Sequence, residues 1–173
     1  MDKEINILGG GISGLACAII LRNNGYKVNI YEKGSYVGKR FNDDWQGLEN
    51  WSEKIDVLKQ IESYGIDLSF DYEPISELSV HYSDKMKTAS VKNGCYLVRR
   101  GSKEGCLDKA LLEQAERLGA KIHFNYSQDR IMTAKVNATG PKDANAYVSA
   151  LQFPIPPSRR KPWGINPHYK ILL

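Results

Sequence analysis

Apolar and polar positions alternate at the start of the chain in a way that predicts a βαβ unit. Ile5, Ile7 and Leu8 mark a strand over 5–8, and the apolar run Leu15 to Leu21 predicts a helix over about 14–24, with Gly25 where it would stop. Val28 and Ile30 then mark a second strand over 28–31, and the two strands have the buried apolar positions of inner parallel strands. A polar, glycine-containing loop is expected from Lys33 to about Asn50. Trp51, Ile55, Leu58, Ile61 and Tyr64 recur at helical spacing and predict a connecting helix that ends at Gly65.

From Ile75 the pattern shortens. Leu78, Val80 and Tyr82 alternate as a strand, and Asn93-Gly94 between Thr88–Val91 and Cys95–Val98 is a strong hairpin signal. Leu107, Leu111, Ala115 and Leu118 form one face of a helix closed by Gly119. Ile122, Phe124 and Tyr126 alternate as a strand, and a short strand over 135–138 runs into Thr139-Gly140. Strands and helices thus alternate at both ends, which predicts an α/β fold: a doubly wound, mainly parallel sheet with a small β-hairpin insertion. Five of the seven prolines fall after Phe153. Residues 1–153 are therefore expected to form one domain, and residues 154–173 a basic, proline-rich tail without packed structure.

Composition narrows the class. An apolar fraction of 42% and a charged fraction of 25% in 173 residues fit one soluble globular domain. The net charge of +4 is carried by the tail, where Arg159, Arg160, Lys161 and Lys170 meet no acid, so no nucleic-acid partner is expected. The charged opening Met1-Asp2-Lys3-Glu4 is unlike an export leader, and no apolar run approaches the roughly 20 residues of a membrane-spanning helix. Peripheral membrane association stays open. Cys17, Cys95 and Cys106 form no pair pattern and are expected to be free thiols in a reducing, cytoplasmic setting. Neither they nor His81, His123 and His168 have metal-ligand spacing, and the histidines are expected to be surface or hydrogen-bonded residues.

The chemistry lies in Gly9-Gly10-Gly11-Ile12-Ser13-Gly14, a G-x-G-x-x-G pattern between a predicted strand and a predicted helix. Gly9 would allow the tight turn, Gly11 the approach of a pyrophosphate, and Gly14 the packing of helix on strand. With Ile12 and Ser13, the helix start would offer unpaired N–H groups to the phosphates. Glu32 stands eighteen residues after Gly14, at the end of the second strand, where a carboxylate can accept from both ribose hydroxyls of an adenosine. Its charge disfavours a 2′-phosphate, so FAD or NAD is expected in preference to NADP.

The runs Tyr31-Glu32-Lys33, Val37-Gly38-Lys39-Arg40-Phe41, Trp45-Gln46-Gly47-Leu48-Glu49, Tyr96-Leu97-Val98-Arg99-Arg100-Gly101, Leu107-Asp108 and Ala138-Thr139-Gly140-Pro141 resemble, in order, FAD-dependent oxidoreductases of the geranylgeranyl-reductase-like group. The resemblance covers residues 3 to about 152 and implies a Rossmann-like FAD/NAD(P)-binding fold with FAD as cofactor. It implies that Ala138, Thr139 and Gly140 return beneath the dinucleotide, and that Lys33, Arg40 and Arg100 lie near it. The same resemblance implies reduction or oxidation of an apolar substrate, an isoprenoid being the kind it suggests, at the flavin, with no acid or base assigned. Two departures stand out: the chain has no Gly-Asp pair, and the span from Gln128 to Thr133 is too short for an inserted three-stranded meander. The expectation is therefore the front part of an oxidoreductase, cut short, with the residues after about Phe153 arising from a shifted reading frame or a degraded gene. A non-catalytic module holding FAD or NAD for a partner, and an NAD-dependent dehydrogenase, are the competing readings.

Overall fold

The computed structural model describes residues 3–49, 53–82, 85–90, 95–126 and 134–140, without the side chains of 78–82, 85 and 89. Two compact units divide the chain, one spanning 1–74 and 93–140, the other 75–92 and 141–173. The tail, Trp51, Asn93-Gly94 and the span from Gln128 to Thr133 lie outside the described residues.

In the first unit, β1 (Glu4–Leu8) leads through the glycine turn into α1 (Ile12–Asn23) and β2 (Lys27–Tyr31). Beyond them, β8 (Lys121–His123) and β9 (Val136–Asn137) complete a parallel sheet in the order β8-β2-β1-β9. This places the first two strands at the centre and their C-terminal ends together. Ile7, Val28 and Ile30 are buried with Leu15, Ala18 and Ile19 of α1 and Ala110, Leu111 and Ala115 of α3 (Leu107–Arg117). The expected α/β fold, parallel with a small β insertion, is the one observed.

The other strands differ from expectation. The loop expected over 33–50 contains β3 (Asp44–Glu49), which pairs antiparallel with β7 (Cys95–Arg100), and β4 (Tyr72–Pro74) pairs with the other edge of β7. Asp44-Trp45-Gln46-Gly47-Leu48-Glu49 has no apolar/polar alternation, so its strand state comes from the ladder it joins. The hairpin also falls elsewhere. With both edges of β7 occupied, β6 (Lys85–Ser90) pairs instead with β5 (Glu77–Tyr82), from Tyr82↔Lys85 to Glu77↔Ser90, and this hairpin belongs to the second unit.

Boundaries moved for local reasons. α2 spans Val57–Ser63 and starts later than its apolar spacing suggested, because the Asp56 carboxylate accepts from the Leu58 and Lys59 N–H groups and caps it. The strand expected through Tyr126 ends at His123, and Asn125 turns the chain with φ 57°.

Candidate dinucleotide-binding site

The glycine turn joins the C-terminal end of β1 to α1. Gly9 has φ 104°, donates its N–H to the Tyr31 carbonyl at 2.9 Å, and leaves no room for a side chain: an added Cβ would lie 2.5 Å from the Ala138 carbonyl oxygen. A Cβ on Gly14 would run into the Gly9 carbonyl oxygen. These two glycines are demanded by the protein's own packing. Gly11 is different, because its φ of −76° is ordinary and an added Cβ would meet nothing within 4 Å. Among the described residues, then, no atom lies within 4 Å of that position, which fits the approach of a pyrophosphate.

Gly11 is also the N-cap of α1, with no side-chain hydrogen bond and no acidic residue in the first turn. The N–H groups of Ile12, Ser13 and Gly14 have no acceptor within the helix, so this end offers donors and a partial positive charge. Ser13 is exposed and Ile12 half-buried. Ala138 stands against Gly9 and Gly14, with its N–H on the Leu8 carbonyl at 2.7 Å. Thr139 folds its hydroxyl and N–H onto the Asn137 side chain, and Gly140 has φ 76°. The expected contacts from β1, α1 and β9 are therefore brought together.

Glu32 joins them from β2. One carboxylate oxygen accepts from the Gly10 N–H at 2.7 Å and the other from the Gly34 N–H at 2.6 Å. Neither glycine was singled out from the sequence as a partner of Glu32, although Gly34, two residues on, was a readable signal for a tight turn at this carboxylate. Lys33 is exposed beside it.

Arg40 and Arg100 have their own partners. Arg40 is exposed, with its guanidinium over Phe41 at 6.0 Å. Arg100 makes a bidentate pair with Asp108, Nε to Oδ2 at 2.8 Å and Nη2 to Oδ1 at 3.0 Å. Its Nη1 donates to Gln46 at 2.7 Å, and the guanidinium stacks on Phe41 at 4.2 Å. Asp108 also accepts from the Gly101 N–H at 3.1 Å. Arg100 is thus committed to holding β7, β3 and α3 together. His123 stacks on Tyr31, with Nε2 3.4 Å from the Asn29 side chain, the hydrogen-bonded setting expected for it. The Cys106 thiol, buried at the start of α3, lies 3.5 Å from Asp43, and burial pushes it above the usual thiol range.

Residues 7–47 match the NAD(P)-binding Rossmann-like domain family, the stretch from β1 through the glycine turn, α1 and β2 into β3. The class that fold and turn define is therefore a Rossmann-like dinucleotide-binding fold. The chain is 38% identical over 42 residues to the 4,4'-diaponeurosporene oxygenase of Staphylococcus aureus (strain USA300), a match covering 24% of this chain and 8% of that protein. Among solved structures, 2-methyl-3-hydroxypyridine-5-carboxylic acid oxygenase superposes with a TM-score of 0.52 at 23% identity, over 72% of this chain and 32% of that one. A geranylgeranyl bacteriochlorophyll reductase-like protein from Thermoplasma acidophilum superposes with a TM-score of 0.53 at 18% identity, over 71% and 30%. The resemblance to the geranylgeranyl-reductase-like group thus holds at the level of the fold. The chain spans a third or less of each of these proteins.

Proposed function

We propose that this chain binds FAD, holding its ADP half at the glycine turn, and serves as the FAD-binding part of a flavin-dependent oxidoreductase. The observation that carries this reading is the start of α1, where a side chain on Gly11 would meet no atom of the described residues within 4 Å and Glu32 stands alongside at the end of β2. Pyrophosphate would lie at Gly11, Ile12 and Ser13, the adenosine ribose near Glu32, and the turn at Ala138–Gly140 beneath them. Lys33 and Arg40, both exposed, supply positive charge on the same segment as Glu32. Arg100 would act at one remove, through the segment it anchors. When bound, the flavin supplies the hydride chemistry, and the protein positions it and sets its surroundings.

The geranylgeranyl-reductase-like resemblance supports an apolar substrate of the isoprenoid kind for the complete reaction. Free Cys17, Cys95 and Cys106 support a reducing, cytoplasmic setting. Among the described residues no helix is long and apolar enough to cross a membrane.

A module that holds FAD or NAD for a partner is the second reading, favoured by the match of residues 7–47 to an NAD(P)-binding domain. Titration of the purified chain with FAD, FMN, NAD and NADP separates the readings. FAD is expected to bind most tightly, NADP to be rejected by Glu32, and FMN, which lacks the ADP half, to fail. Tighter NAD than FAD binding would overturn the flavin assignment, and FAD binding without electron-donor turnover would favour the module.

A further inference from the structure

We infer that Glu32 is a positioning residue for the phosphate turn, acting through the Gly10 N–H, in addition to any contact it makes with a ribose. This deepens the dinucleotide reading above and rests on it. A carboxylate whose work was confined to the ribose would have its oxygens aimed away from the protein. Here both are engaged by backbone, one on Gly10 at 2.7 Å and one on Gly34 at 2.6 Å.

The main chain of Glu32 is held just as firmly. Its N–H donates to the His123 carbonyl at 2.9 Å, and its carbonyl accepts from the Tyr126 N–H at 2.9 Å. Glu32 is therefore a fixed post just past the end of the inner strand β2, tied to the exit of β8, and its side chain reaches across to the middle residue of the three-glycine turn. The glycines on each end of that reach permit it. A Cβ on Gly10 would lie 3.0 Å from the Glu32 Cβ, and one on Gly34 would lie 3.0 Å from its Oε1.

The consequence follows from the conformational freedom of glycine. Three successive glycines cost more entropy to order than any other tripeptide, and a turn that must present N–H groups to a phosphate gains affinity when that ordering precedes binding. Gly9 is ordered by its contact with Ala138 and Gly11 by the helix it caps. Gly10, between them, is ordered by Glu32. Because an ionised carboxylate has about four acceptor sites, two N–H groups leave capacity for ribose hydroxyls, and the two roles are compatible.

A chemical cycle separates them. Affinities of the wild-type chain and Glu32→Gln are measured for ADP and for 2′,3′-dideoxy-ADP, which has no ribose hydroxyl for Glu32 to contact. In parallel, amide hydrogen exchange at Gly10 and Gly34 is followed by NMR in the ligand-free proteins. If Glu32 orders the turn, Glu32→Gln weakens dideoxy-ADP binding about tenfold, the loss of one charge-assisted hydrogen bond, and speeds exchange at both glycines. A variant that binds dideoxy-ADP as the wild type does, while losing affinity for ADP, overturns the positioning role and leaves Glu32 as a ribose contact only. Unchanged exchange at Gly10 and Gly34 overturns it also. A wild-type chain that binds neither ligand removes the dinucleotide reading itself, and the positioning role with it. Should Glu32→Gln fail to fold, Glu32→Asp, which keeps the charge but shortens the reach by one methylene, carries the same comparison.

Discussion

Helices α1 and α3 pack together and are 12 and 11 residues long, yet their N-termini are built differently. α3 carries Asp108 in its first turn, buried and fully engaged by Arg100 and the Gly101 N–H. The short α2 likewise begins on an acid, with Asp56 bonded to two of its N–H groups. α1 begins on Gly11, without a capping side chain and without an acid in its first turn. The Glu32 carboxylate binds one residue earlier, at Gly10. α2 and α3 thus each set an acid at the positive end of the helix, although α3, like α1, has no side-chain hydrogen bond at its N-cap; α1 has no such acid, and the donors there suit an anionic ligand.

That contrast can be broken first at α3. Arg100→Ala leaves the buried Asp108 charge without its partner and is expected to destabilise the chain by about 3–5 kcal/mol, read by urea denaturation. A change near zero would mean that Arg100 is free to face a cofactor. Gly14→Ala comes next, since the added methyl meets the Gly9 carbonyl oxygen and helix and turn must move apart. A loss of about 3 kcal/mol is expected in the same measurement.

At α2, Asp56→Ala removes a helix cap and the acceptor of the Tyr96 hydroxyl, bonded at 2.7 Å, and should cost about 2 kcal/mol. The Tyr96 hydrogen bond holds the Asp56 carboxyl below its usual range and pushes the Tyr96 hydroxyl up to about 12. The two shifts fix the pH window. The Asp56 contribution is present at neutral pH and fades as the pH falls below about 4, and the Tyr96 contribution fades only as the pH rises from about 10 through 12. Stability of Tyr96→Phe against wild type across that range checks both signs.

The smallest stability effect is expected at the helix start that the protein leaves bare. Gly11→Val should cost no more than about 1 kcal/mol, the difference between cap residues, because no atom of the described residues lies within 4 Å of an added Cβ. Its FAD affinity should nevertheless collapse. Calorimetric titration of the folded variant measures this, and retained affinity would remove Gly11 from the phosphate site.

The glycine turn, the helix after it and Glu32 were legible in the sequence because they are close neighbours along the chain. Spacing within a βαβ unit determines which residues meet at the ends of β1 and β2, whatever surrounds them. The roles of the three glycines separated only in three dimensions: Gly9 and Gly14 are required by Ala138 and by each other, whereas no neighbour among the described residues requires Gly11. Arg100 could be read as a candidate contact, but of its partners Asp108, Gln46 and Phe41 the last two lie 54 and 59 positions from it in sequence, and no local pattern encodes such a meeting.

The β insertion shows the same division. Alternation over Leu78, Val80 and Tyr82 and the apolar run at Cys95–Val98 mark strands, because a period of two is a property of the segment alone. Which strand pairs with which is a competition between edges. β7 gave its two edges to β3 and β4, so β6 closed onto β5, and the strand at Asp44–Glu49 exists only because a partner edge was there to receive it. By itself the sequence determined the periodic elements and the phosphate turn, both set by neighbouring residues. The tertiary structure decided the strand partners, the commitment of Arg100 and the double hold of Glu32, since each depends on contacts between segments that only folding brings together.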